Sequence, residues 1–323
     1  MASLQAQAIV RSFRATNIRS SLTAAPKRTG VIYLISLHIS LAGLLYGLDT
    51  GSIGPITEMP QFIESVGKLS DSTQGLYVSS VLLFAGLSSV ADGYLADLFS
   101  RKYTVFFGAV FAFIGALQSA SASNLRQLFI ARAIYGVGIG IGVSTSVVYL
   151  VEIAPTAQRG RFGCMSQLLI TVGISVAYLT ASQSSKLSGS AAWRVPFMVQ
   201  MGVALLLAAG IPFLPYSPRW LMQNGREHEA LDTLKLLRGT KPSDVKGLQI
   251  INKILDEIRD DIQRDELAQR KTSFLQIFLE VLSLFSSKTD RSLFVDRHCF
   301  RFLWLRISSS RGYVLYANCG DLD

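Results

Sequence analysis

The sequence predicts an all-α integral membrane protein, a bundle of six spanning helices followed by a charged helical segment, and three observations predict it. Half of the residues are hydrophobic and only 16% are charged, against about 25% charge in an ordinary soluble domain. Apolar stretches recur near 31–54, 75–98, 103–122, 127–151, 163–182 and 194–214, each close to the roughly 20 residues that a spanning helix needs. They are apolar around most of their circumference, whereas a soluble helix carries one apolar stripe. The cations, finally, are concentrated in alternate connectors.

Residues 1–29 form a polar tail with Arg11, Arg14, Arg19, Lys27 and Arg28. It has no short apolar stretch ending in a small-residue cleavage site, so the first span is expected to direct insertion. Arg101 and Lys102 follow span two, and Arg159 and Arg161 follow span four. Glu58, Glu64, Lys68 and Asp71 occupy the connector after span one, and Lys186 the one after span five. By the positive-inside rule the amino terminus and the segment after span six face the cytoplasm. The net charge of +9 therefore reports topology. Anionic membrane lipids, and not nucleic acid, are the expected neighbours, and the plasma membrane is the expected location.

Inside the spans an ionisable group costs at least about 3 kcal/mol on insertion scales, so it marks a pathway or a pair. Asp49 lies in Tyr46-Gly47-Leu48-Asp49-Thr50-Gly51 of span one, and Arg132 lies in span four ahead of Gly136, Gly138 and Gly140. The two can neutralise each other. A cation beside a carboxylate keeps its proton off, and parting them lets the proton bind, which would couple a proton to a conformational cycle. A structural pair that fixes helix register is the other reading.

Span five carries Gln167 in Ser166-Gln167-Leu168-Leu169-Ile170-Thr171. An amide both donates and accepts without a charge to desolvate, which suits a polyhydroxylated ligand; a bond to a neighbouring helix is the alternative. Gln200 in span six and His38 in span one carry no assignment. The glycines of span four, Gly136 to Gly142, permit close helix approach. A dinucleotide loop would need a preceding strand, so no cofactor is expected. Cys164, Cys299 and Cys319 have no metal or redox spacing, and no catalytic constellation accompanies them, so neither a metal nor an enzyme is expected.

After span six, residues 216–272 are rich in charge, and Ile251, Ile254, Leu255, Ile258 and Ile262 recur at helical spacing. That is an amphipathic helix, expected to dock beneath the bundle. From about Ser286 no further span can be built. Residues 273–323 are expected to be disordered or out of frame.

Three strings at span ends resemble a known family. Gly93-Tyr-Leu-Ala-Asp97-Leu-Phe-Ser100-Arg101-Lys102 is similar to the signature loop G-x-L-x-D-x-x-G-R-[RK] of the major facilitator superfamily. Tyr149-Leu-Val-Glu152-Ile-Ala-Pro155, continuing to Arg159 and Gly160, resembles the sugar porters' Y-x-x-E-x-x-P-x-x-x-R-G. Pro215-Tyr216-Ser217-Pro218-Arg219-Trp220-Leu221 resembles their P-E-S-P-R-W-L, and Trp193-Arg194-Val-Pro196 their W-R-x-P. Two departures stand out: Ser100 replaces a glycine, which implies a tighter or strained turn, and Tyr216 replaces a glutamate, which removes a partner for an arginine.

The resemblance spans about residues 28–285 and implies the six-helix amino-terminal bundle of the major facilitator fold with cytoplasmic amphipathic helices. It implies secondary active transport of a hexose or related sugar or polyol by alternating access. Asp49 opposite Arg132 would accompany proton symport, and Gln167 would touch sugar. Asp97, Arg101, Lys102, Glu152, Arg159 and Arg219 would form a cytoplasmic gate, made in one state and broken in the other. The alternative for these charges is helix capping, worth about 0.3 to 1 kcal/mol each. Because the family's site lies between two six-helix halves, the carboxyl-terminal half is expected to be missing. The chain is then an inactive half or needs a pairing subunit; a non-transporting sugar sensor or regulatory half-subunit is the alternative.

Overall fold

The structure, a computed structural model, describes residues 30–155, 158–240 and 244–269. The basic tail and the atypical stretch 273–323, with Cys299 and Cys319, lie outside the described residues. Among the described residues all regular structure is helical: α1 Gly30–Glu58, α2 Pro60–Val66, α3 Asp71–Phe99, α4 Arg101–Ser121, α5 Leu125–Ile153, α6 Arg159–Ser184, α7 Ala191–Gly210, α8 Pro218–Gln223, α9 Glu227–Arg238 and α10 Val245–Gln269. A 3-10 turn, Ile211–Phe213, extends α7. Among the described residues six helices are long and apolar enough to cross a membrane: α1, α3, α4, α5, α6 and α7 with its extension.

Several of these run a few residues beyond the apolar stretches because caps, not hydropathy, set their ends. Ser70 accepts from the Thr73 amide to start α3. Asn124 accepts from the Gln127 amide to start α5, and Gln127 in return accepts from the Ser123 amide at 2.8 Å. Such caps satisfy amides that a first helical turn leaves without partners.

Glycines set the helix spacing. Gly43, Gly47 and Gly51 line one face of α1; a Cβ on Gly47 would stand 2.1 Å from the Ile170 carbonyl oxygen of α6, and one on Gly51 2.3 Å from that of Ile174. The glycine row of α5 divides between two neighbours. Gly136 and Gly140 meet Val81, Ala85 and Ser88 of α3, while Gly138 meets Gly108 and Ala112 of α4. One hydrophobic cluster, including Ile39, Val105, Tyr149 and Leu207, fills the bundle. A second gathers Phe62, Tyr77, Trp193 and Phe197. Helices α3 and α6 leave much apolar surface uncovered, with Leu83 and Leu87 on one and Leu168 and Leu179 on the other.

The bundle with α8 and α9 forms one compact unit ending at Asp244, and α10 belongs to another. In α10 Ile251 is buried and Ile254, Leu255, Ile258 and Ile262 are half-buried, with exposed charges between them. This is the amphipathic periodicity expected of the segment.

Candidate functional site

The charged pair of the spans comes together. Arg132 Nη1 donates to Asp49 Oδ1 at 2.5 Å, and both side chains are buried. Gly47 and Gly51 give α6 its close approach on one side of α1, while the Asp49 side chain reaches α5. Arg132 is further held by α3: Nη2 donates to the Val78 carbonyl at 3.1 Å, and the guanidinium lies 5.2 Å from the centre of the Tyr77 ring. Tyr135, one turn along α5, donates to the Leu45 carbonyl of α1 at 3.0 Å. Removing one member of such a pair leaves an uncompensated buried charge, a loss of about 3–5 kcal/mol.

Gln200 reaches from α7 to Ser52 of α1, donating from Nε2 at 3.1 Å, and so acts as a tie between helices. The His38 ring lies against Gly210 with Nε2 3.1 Å from the Leu207 carbonyl oxygen.

Gln167 stands apart from the pair, exposed on α6. Thr171, Ser175, Tyr178 and Ser182, also exposed, follow it at spacings of three or four residues on the same face. Thr171 and Ser175 return their hydroxyls to the carbonyls of Gln167 and Thr171. Next to this polar stripe, α1 and α6 enclose an open hollow of about 600 Å³ lined by Thr50, Gly51, Ile174, Ser175, Tyr178 and Leu179. A second hollow of about 270 Å³ follows, with Glu58, Tyr178, Ser182 and Ser185 in its wall.

At the end of the bundle where α3 passes to α4, the signature residues assemble around Glu152. Arg101 donates from Nε to Glu152 Oε1 at 3.2 Å and pairs through Nη2 with Asp97 at 2.9 Å. The Ser217 hydroxyl donates to the other Glu152 oxygen. Tyr149 donates to the Pro215 carbonyl at 2.6 Å, and Trp220 Nε1 to that of Asp97 at 3.0 Å. The segment after α7 is thus strapped to the ends of α3 and α5. Ser100, just before Arg101, has φ +81° and ψ 150°, a region that glycine occupies almost alone. It is held there by accepting from the Tyr103 amide at 3.4 Å.

Two of the expected members, Lys102 and Arg159, have other neighbours. Lys102 donates to the Pro212 carbonyl at 2.8 Å instead of meeting an acid. Arg159 is exposed and lies near Arg238, whose proton affinity is lowered first by burial and then by the Arg159 charge. Arg219 sits in the first turn of α8, beside Ser217. Tyr216, in place of a glutamate, serves cations by another route: its ring stacks on Trp220 at 5.5 Å and lies 4.9 Å from Lys102 Nζ and 5.5 Å from the Arg226 guanidinium. Its hydroxyl donates to that of Tyr103 at 3.4 Å. That bond, then burial, raises the Tyr216 proton affinity.

Two buried residues escaped the sequence reading. Asp92 of α3 accepts a hydrogen bond from Thr145 of α5; it lies within an apolar stretch, and the rule that drew notice to Asp49 applies to it equally. Tyr77 carried no signal, since an aromatic in a span is ordinary.

An all-helical bundle with six apolar helices, a buried acid–base pair and strapped helix ends is that of a multi-pass membrane protein of the major facilitator fold. The chain belongs to the sugar transporter family: it matches the Sugar (and other) transporter model over residues 35–288. It is 38% identical over 224 residues to the glucose transporter GlcP of Staphylococcus epidermidis, covering 69% of this chain and 49% of that one. It is 34% identical over 263 residues to the galactose-proton symporter of Escherichia coli, covering 79% and 54%. The structure of the proton:xylose symporter XylE bound to 6-bromo-6-deoxy-D-glucose superposes with a TM-score of 0.66 at 25% identity, covering 74% of this chain and 55% of that one. The chain spans about half the length of the curated relatives it matches.

Proposed function

We propose that the protein acts in proton-coupled, secondary active transport of a hexose or related sugar or polyol by alternating access. The observation that carries this reading is the buried Asp49–Arg132 pair at 2.5 Å. Its carboxylate gains a proton when the cation withdraws and loses it when the cation returns, so rocking of α1 against α5 moves one proton per cycle. Gln167 offers an amide to the sugar from the polar stripe of α6. The Asp97, Arg101 and Glu152 cluster, with Lys102, Arg159 and Arg219 around it, gates the end assigned to the cytoplasm, where the amino terminus also lies. The membrane is the plasma membrane. Names of relatives that pair a sugar with a proton support the same reading.

Reconstituted in vesicles, the chain is expected to accumulate radiolabelled hexose when the outside is acidic. Asp49→Asn is expected to lose accumulation and keep exchange; unchanged accumulation overturns the proton role. A second reading, a half-subunit that works or regulates only beside a partner, is favoured by the uncovered apolar faces of α3 and α6. It predicts no uptake by the chain alone.

A further inference from the structure

We infer that Tyr77 is a positioning residue that receives the Arg132 cation when Asp49 takes up a proton. The inference rests on the proton-coupling reading above, and it starts from a difficulty in that reading. Arginine does not give up its charge, and Arg132 is 1% exposed. Once Asp49 is neutral, the guanidinium has lost its counter-ion and cannot reach water without a large movement.

The surroundings are defined. From α5, Arg132 and Tyr135 face Asp49; from α3, Tyr77 does. Toward α7 stands the uncharged Ser52–Gln200 tie, and toward α6 the backbone of Ile170 and Ile174. The Tyr135 hydroxyl is already committed to the Leu45 carbonyl. Besides Asp49, Arg132 has the Val78 carbonyl and the face of Tyr77 at 5.2 Å, while its Nε has no hydrogen-bond partner among the described residues.

The ring is built into place. Tyr77 is fully buried and meets Phe129 edge to face at 5.5 Å, with Phe62 6.4 Å away. Its hydroxyl makes no hydrogen bond among the described residues, so the ring face, and not the hydroxyl, is what this residue offers. A ring quadrupole attracts a desolvated cation, and the attraction counts most when no carboxylate compensates the charge. Tyr77 therefore favours the protonated form of Asp49 over the ion pair.

The test needs no transport. The full chain in lipid nanodiscs is titrated by infrared difference spectroscopy, with the carboxylic acid band assigned by its loss in Asp49→Asn. Tyr77→Phe removes the hydroxyl and keeps the ring, and phenylalanines with one, two or three ring fluorines at position 77 weaken the ring face with little change of shape. The midpoint is expected to hold in Tyr77→Phe and to fall stepwise along the fluorinated series by about 0.5 to 1 pH unit in total. A midpoint that stays constant along the series overturns the role of Tyr77 and leaves Asp49 as the proton site. A shift in Tyr77→Phe with no further change on fluorination assigns the effect to the hydroxyl and overturns it too. Absence of any Asp49-dependent band overturns the proton-coupling reading itself.

Discussion

Arg132 and Asp49 lie 83 positions apart in the chain and 2.5 Å apart in space, which makes their contact a sensitive reporter of how α5 sits against α1. Arg132→Met should destabilise the bundle by about 3 kcal/mol or more, because a buried carboxylate is left with no cation. Asp49→Leu should cost less than that, since Val78 and Tyr77 still hold the guanidinium. The double variant should regain much of the loss. Thermal unfolding in detergent, read as a double-mutant cycle, checks all three; additive losses would remove the pair from the fold's energetics.

Ser100 predicts a gain. Its positive φ is a strain of about 1–3 kcal/mol for a residue with a side chain. Glycine at a helix cap gives up only a few tenths of a kcal/mol relative to serine. Ser100→Gly should therefore raise stability by about 1 kcal/mol or more, visible as a higher unfolding temperature. A fall would mean that the bond from the Tyr103 amide outweighs the backbone strain.

The glycine contacts separate positions that look alike in sequence. A Cβ at Gly47 meets backbone of α6 at 2.1 Å, while one at Gly54 of the same helix meets nothing within 4 Å. Gly47→Ala must push α1 and α6 apart and should cost about 1–3 kcal/mol or more, the usual range for overpacking. Gly54→Ala should be silent or mildly stabilising through its better helix propensity. Unfolding temperatures of the two variants decide it.

Those two glycines also mark what the sequence could and could not say. Hydropathy located all six spans, because apolar surface is counted residue by residue. The Asp49–Arg132 pair was legible because two opposite charges in apolar stretches have few other solutions, and Arg101 with Glu152 was legible through their strings. The tie from Ser217 to Glu152 was not, since a serine at a helix start reads first as a cap, and Ser217 is that as well. Nor was the place of Lys102: its neighbour Arg101 reaches the acids, and only the fold shows that Lys102 points instead to the end of α7. Arg159 met Arg238 for the same reason, because α9 folds back by a route that no local pattern encodes.

Tyr216 gives a pH prediction. Its proton affinity is raised, first by the bond it donates to Tyr103 and then by burial. A group raised on folding contributes stability that is complete below its unfolded value, about 10 for tyrosine, and that is lost as pH climbs through the folded value. Tyr216→Phe, which lacks the bond to Tyr103, should be less stable than the wild type at pH 8 and should lose less stability than it as pH climbs above 10. Parallel unfolding curves across that range would remove Tyr216 from the alkaline transition.

Ser217 and Glu152 give the last prediction. The Glu152 carboxylate takes Arg101 on one oxygen and the Ser217 hydroxyl on the other, so one acid joins the turn after α3 to the segment after α7. Glu152→Gln keeps an acceptor but can no longer compensate the Arg101 charge, and should cost more than Ser217→Ala, which removes one hydrogen bond worth about 1.5–3 kcal/mol to a charged group. The two should differ in where they act. Ser217→Ala should speed amide exchange through residues 216–226 and leave the α3–α4 turn protected, because Arg101 still holds Glu152 and Asp97. Glu152→Gln should speed it in both places, since Arg101 then relies more on Asp97, whose side chain is 57% exposed. Hydrogen exchange by mass spectrometry resolves the two segments, and equal patterns in the two variants would mean that the strap and the turn open together.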